Sequence, residues 1–163
     1  MHNTADLFFI FGAKYLYLVV IIIASFLLLM QPRSKQKEIL ILACICLPLI
    51  FAISLAAGHL YYNPRPFVAE GFKPLIPHKA NNGFPSHHVL LVSAISAVIF
   101  PFSRRISMLL WILTLFIGFS RVYVGMHYII DVMGSILISI APPAIVYFFM
   151  RYLKNRKSEG GAK

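Results

Sequence analysis

Acidic side chains are scarce in this chain of 163 residues. Five Asp and Glu stand against fifteen Lys and Arg, and charged residues of both signs make up only 12% of the total. So little charge argues against a soluble domain of this size. Cysteine is nearly absent as well. Cys44 and Cys46 lie two apart in an apolar run, so they point to different sides of a helix, lack the companions of a metal site and read as reduced packing residues. The N-terminus lacks the basic start and small-residue cleavage pattern of a secretory signal, so the first apolar stretch is expected to stay as a span. The formal charge of +10 is not a nucleic-acid footprint, because the basic residues fall mostly between hydrophobic spans.

What is present in quantity is apolar: 60% of the residues, with a mean hydropathy of +0.81. A spanning helix needs about twenty consecutive apolar residues, and five segments qualify in the sequence: 7–30, 39–60 with Pro48 inside it, 85–102, 106–124, and 127–149 with a bend expected at Pro142-Pro143. The expected fold is therefore all-α, a polytopic transmembrane bundle of about five spans forming one domain over 1–163. Residues 61–84, rich in Pro, Asn and Gly, read as a long loop, and long loops in compact folds are often functional. Residues 151–163 read as a disordered basic tail.

An odd number of spans puts the termini on opposite sides, and the positive-inside rule orients them. Arg33, Lys35, Lys37, Arg104, Arg105, Arg151, Lys154, Arg156 and Lys157 share one side, expected to be cytoplasmic. The N-terminus, the 61–85 loop and the 120–126 connection then meet on the outer face.

Three polar clusters lie there. Asn63-Pro64-Arg65-Pro66 holds an arginine, whose planar fork suits phosphate oxygens, in a stiff backbone. Pro85-Ser86-His87-His88 opens a helix, with Ser86 at the N-cap, where free N–H groups favour an anion. Ser120-Arg121 leads to His127 and Asp131, four residues apart, so that a helix would place the carboxylate beside the imidazole. Asp131 is the only acid between Glu70 and Glu159. A carboxylate set against an apolar span is a functional hypothesis by default. A neutral imidazole with one nitrogen fixed by a carboxylate presents the other as nucleophile or base.

Together, Arg65-Pro66, Pro85-Ser86-His87-His88 and Ser120-Arg121 with His127 and Asp131 resemble the three-part signature of the type 2 phosphatidic acid phosphatase superfamily. The segments 61–66 and 75–78, ahead of Phe84-Pro85-Ser86, resemble its bacterial undecaprenyl pyrophosphate phosphatase branch. The resemblance implies a phosphohydrolase of the bacterial inner membrane acting on a lipid phosphate or pyrophosphate, without metal or cofactor. His127 would attack phosphorus, Asp131 would orient it, and His88 would serve as acid and then base. Arg65, Arg121, Ser86 and the backbone at His87 would bind the phosphoryl oxygens.

Two positions depart from the pattern. The lysine expected seven residues before Arg65 is Gly58, with His59 beside it as a possible stand-in that is fully charged only when protonated. The glycine expected between serine and histidine is His87, whose side chain would adapt the pocket to a different head group. Phosphatidic acid, phosphatidylglycerol phosphate and lipid A phosphate are alternative substrates. A small transporter or a noncatalytic membrane scaffold is the reading from another class.

Overall fold

The computed structural model describes residues 3–160. Seven helices account for its regular structure: α1 Thr4–Lys14, α2 Leu16–Leu29, α3 Arg33–Leu60, α4 Pro66–Ala69, α5 His87–Ile99, α6 Arg104–Tyr123 and α7 Ile129–Gly160. The first begins earlier than its apolar run. Asn3 accepts from the Asp6 N–H while the Asp6 carboxylate accepts from the Asn3 N–H, a reciprocal cap that starts α1 at once.

The expected all-α bundle of about five apolar segments is present, with the segments unequal in length. Helices α3, α6 and α7 are long and apolar enough to cross a membrane, and α1 with α2 makes a fourth candidate bent by 47°. Helix α5 has 13 residues, about 20 Å at 1.5 Å per residue, short of the roughly 30 Å hydrocarbon core. Its place is central rather than lipid-facing. Nine of its residues are buried, and it packs against α2, α3, α6 and α7.

The packing uses small polar residues, as close helix approach in lipid favours. Ser93 Oγ on α5 donates to Ser139 Oγ on α7 at 2.8 Å, Ser107 Oγ on α6 donates to the Ser96 carbonyl at 2.7 Å, and Ser96 and Thr114 hydroxyls lie 3.3 Å apart. Ser93, Thr114 and Ser139 also bond back to carbonyls of their own helices, so none carries an unsatisfied hydroxyl into the bundle.

Two further boundaries differ from the sequence reading. The basic stretch after Gln31 is the first turns of α3 rather than a loop, because Pro32 with its fixed φ starts a helix well. Helix α7 runs through Pro142 and Pro143 and on to Gly160, so most of the tail expected to be disordered is helical; residues 161–163 lie outside the described residues. Lys154 on α7 pairs with Glu38 on α3 at 2.7 Å. That contact gathers the basic residues of α3 and α7 at one end of the bundle. The polar clusters collect at the other.

Candidate phosphate-handling site

His127 lies in the turn between α6 and α7, two residues before α7 starts. The turn is tight because Gly125 has φ +79°, and a Cβ there would also stand 2.6 Å from the Phe72 ring. It returns the chain so that Arg121, near the end of α6, faces His127. Asp131 sits in the first turn of α7. One of its oxygens, Oδ2, accepts from the Tyr128 N–H at 2.9 Å and lies 3.4 Å from His127 Nδ1; the other accepts from Asn63 Nδ2 at 2.8 Å. The Nδ1 contact is long for a hydrogen bond, and the carboxylate beside Nδ1 favours the imidazole proton on that nitrogen.

The opposite nitrogen, Nε2, meets two guanidiniums. Arg65 Nη1 lies 3.2 Å from it and Arg121 Nη2 3.1 Å. Both arginine groups can only donate, so Nε2 must present its lone pair. Burial is the main cause that pulls the His127 pKa down, to about 4; the nearby carboxylate of Asp131 opposes it, and Arg121 and Arg65 reinforce it. The imidazole is therefore neutral at pH 7, with its free lone pair aimed between two cations.

Arg65 is fixed from behind by Asn81 Oδ1 at 2.8 Å and the Met126 carbonyl at 3.0 Å. Burial lowers its pKa and Asp131 raises it. Asn82 knits the long loop to the end of α3: its amide donates to the carbonyls of Gly58 and Tyr61, and its oxygen accepts from the N–H groups of Asn63 and Phe84. These three asparagines carry positions the motif reading left without a role. In sequence Asn81 and Asn82 counted only toward a long loop, and their side chains do the fixing.

Arg121 is held by an element the sequence reading treated only as a span. Its Nη1 donates to the Ala13 carbonyl at 3.3 Å. That carbonyl is one of those left without a helical partner where α1 breaks, and the negative end of α1 also faces the guanidinium. Gly12 permits the approach, since a Cβ there would stand 2.5 Å from Ser120 Oγ and 2.9 Å from Phe116 Cε1. Gly12→Val should push α1 off α6 and release Arg121. Loss of a hydrogen bond to a charged group predicts a fall of roughly tenfold or more in kcat/KM for phosphate release. An unchanged kcat/KM would mean that α1 does not position Arg121.

Among the described residues, the buried side-chain atoms without a hydrogen-bond partner are Ser86 Oγ, Arg121 Nε and His127 Nδ1. All belong to this site. Ser86 holds the N-cap position of α5, but its hydroxyl makes no capping bond; its backbone instead ties α5 to α7 through Asp131 and Ser135. Unpaired buried polar groups cost free energy and mark places where a ligand completes the bonding.

His127 and both arginines open onto a cavity of 590 Å³, whose wall also includes Gly58, His59, His78, Asn81, Asn82, His87 and His88. His88 is half-buried with its ring edge-on to Tyr17 at 4.9 Å; His87 and His59 are exposed. Gly58 approaches the loop closely, and a Cβ there would lie 3.1 Å from the Phe84 carbonyl. Of the residues singled out from sequence, Arg65, Arg121, His127 and Asp131 are in mutual contact through His127. His59, His87 and His88 share the cavity with them. Ser86 and Asp131 lie behind it. Among the described residues no three His, Cys, Asp or Glu side chains are grouped to hold a metal ion.

A bundle of apolar helices with an imidazole clasped by two guanidiniums at one end defines a membrane-embedded protein built around an anion site. The chain belongs to the PAP2 superfamily, whose model matches residues 15–157. The match begins at the α1–α2 break, so α1 lies outside it. The chain is 44% identical over 92 residues to undecaprenyl-diphosphatase BcrC of Bacillus subtilis, covering 56% of this chain and 46% of that protein. It is 33% identical over 129 residues to the putative undecaprenyl-diphosphatase YbjG of Escherichia coli, covering 78% of this chain and 65% of that protein. It thus spans less than two thirds of the length of either. The crystal structure of LpxE from Aquifex aeolicus superposes with a TM-score of 0.69 at 27% identity, covering 89% of this chain and 86% of that one.

Proposed function

We propose that the protein is a metal-independent lipid phosphatase that cleaves a polyprenyl diphosphate, in the first place undecaprenyl diphosphate, to the monophosphate and inorganic phosphate, returning a lipid carrier to use. The observation that carries this reading is the unprotonated Nε2 of His127 between Arg65 and Arg121. The names of the curated relatives support the diphosphate as substrate.

In the first step the His127 Nε2 lone pair forms a bond to the terminal phosphorus as the bridging P–O bond breaks. His88, whose pKa burial lowers, takes up a proton as the anionic substrate binds and gives it to the leaving monophosphate oxygen. The arginine forks take up the charge that grows on the equatorial oxygens, and the unpaired Ser86 hydroxyl, buried behind the wall, joins them if it turns toward the phosphate. Asp131 stabilises the cationic phosphohistidine through Nδ1–H. In the second step water attacks phosphorus, passes its proton to His88, and the N–P bond breaks, restoring neutral His127.

The test is phosphate release by detergent-purified protein with EDTA present, from undecaprenyl diphosphate beside phosphatidic acid and phosphatidylglycerol phosphate. Preference for the diphosphate is expected. Equal or reversed preference would overturn the substrate, and strict need for a divalent ion would overturn the mechanism.

The state of His127 also predicts a pH profile. Its pKa of about 4 lies below the ordinary histidine value, so the lone pair is lost to a proton only when the pH falls well below 6. The acid limb of kcat/KM, which reports the free enzyme, should therefore lie below pH 6. A limb at the ordinary histidine pKa would contradict a buried, arginine-flanked nucleophile. The basic end formed by α3, α6 and α7 supports a cytoplasmic C-terminus and an outer-leaflet site. A reporter fused after Lys163 should be cytoplasmic, and an outer reporter would put the site on the wrong leaflet.

A further inference from the structure

The chain contains six histidines, and five of them, His59, His78, His87, His88 and His127, line one cavity together with Arg65 and Arg121. Among the described residues no Asp or Glu lines it. The mechanism above uses His127 and His88 and leaves three imidazoles on the wall. His59 stands on the last turn of α3 and His78 on the long loop, with His87 on the first turn of α5. Gly58, at the end of α3, supplies no side chain there.

We propose that His78, with His59, forms a second anion subsite that binds the inner, non-transferred phosphate of a diphosphate head group and so selects diphosphates over monophosphates. The inference rests on the reading of the cavity as a lipid-phosphate site. The terminal phosphate must reach His127 Nε2 at the buried end, between Arg65 and Arg121. The inner phosphate then lies toward the exposed wall, which carries His59, His78, His87 and Tyr62. A monophosphate ester places only its alkyl oxygen in that direction and gains nothing from them.

The chemistry of His78 couples binding to proton uptake. Its Nδ1 lies 3.1 Å from the Lys79 carbonyl, a contact that is bonding only with the proton on Nδ1. In the neutral ring Nε2 can then only accept, and it repels a phosphate oxygen. In the protonated ring Nε2–H donates to that oxygen as a charge-assisted bond. Arg65, Arg121, Lys79 and His88 face His78; burial chiefly lowers its pKa, the bond to the Lys79 carbonyl opposes this, and the three cations reinforce it, leaving the pKa below the ordinary value. An inner phosphate would supply the missing anion and draw the proton on. Selectivity for diphosphate should thus strengthen as pH falls, where a lysine at position 58 would have made it constant.

The experiment measures binding rather than turnover, so that it stands apart from the catalytic reading. The affinities of the detergent-purified full chain for inorganic pyrophosphate and for orthophosphate are compared by calorimetry at pH 6 and pH 8, for the parent, His78→Ala, His59→Ala and His78→Lys. Comparing proteins at one pH cancels the ionisation of the ligand. The parent should prefer pyrophosphate at pH 6, and His78→Ala should shrink that ratio roughly tenfold, the loss of one charge-assisted bond. His59→Ala should shrink it less, and His78→Lys should hold it at both pH values. A ratio unaltered by His78→Ala, or not restored by His78→Lys, would overturn the second subsite. Absence of phosphate release in the lipid assay would instead overturn the phosphatase reading.

Discussion

His127→Ala should abolish phosphate release while leaving the bundle folded. Removing a nucleophile that works as part of a unit costs roughly four to six orders of magnitude in turnover, and the two groups in contact with Nε2 cannot replace it. The arginines have no lone pair to offer. The loss should not be an unfolding in disguise, because each partner of the imidazole keeps another bond. Arg65 retains Asn81 and the Met126 carbonyl, Arg121 retains the Ala13 carbonyl, and Asp131 retains Asn63 and the Tyr128 N–H. Phosphate release is compared with helical content and melting of the purified variant. Turnover within tenfold of the parent would remove His127 from the nucleophile's role.

Asp131→Asn should cost roughly 10³ to 10⁴ in kcat, as expected when a carboxylate that fixes the histidine tautomer is neutralised. Asp131 is fully buried, and its two oxygens accept from Asn63 and Tyr128 while Oδ2 faces His127 Nδ1. An amide has one oxygen. With its NH₂ toward His127 and Tyr128, it opposes the Tyr128 N–H and asks Nδ1 to accept, which moves the proton to Nε2 and removes the attacking lone pair. With its NH₂ toward Asn63, it sets two donors against each other and leaves a neutral oxygen to stabilise the phosphohistidine cation. Either way the variant should bind phosphate better than it turns substrate over, so kcat should fall further than KM rises. A variant that changed KM alone would show that Asp131 shapes binding rather than the nucleophile.

The pairing of His127 with Asp131 was legible from their spacing, but the reason given by a helix face is not the one the structure uses. His127 precedes α7, and Asp131 reaches back to it while accepting the Tyr128 N–H. Arg65 and Arg121 were legible as candidate phosphate clamps because a planar guanidinium fork suits phosphate oxygens. Their convergence on one nitrogen was not, since it depends on the Gly125 turn and on Asn81, which look like ordinary turn residues in sequence. Hydrophobic runs located the helices well, yet run length could not tell a buried helix from a lipid-facing one. Helix α5 reads as apolar as its neighbours but is shorter than they are and enclosed by them. The role of α1 was hidden for a related reason: a carbonyl exposed by a helix break carries no residue-type signal.

The most direct test of the account is to trap the covalent intermediate. Detergent-purified His88→Ala, in which the base for the second step is missing, is mixed with an activated aryl phosphate whose leaving group needs no proton and carries a labelled phosphoryl group. The reaction is then quenched in alkali. The account predicts label that is stable to alkali, labile to acid, located on His127 by peptide mapping, and absent from the His88→Ala, His127→Ala double variant. Label that persists without His127, or its absence during aryl phosphate turnover by His88→Ala, would contradict histidine attack.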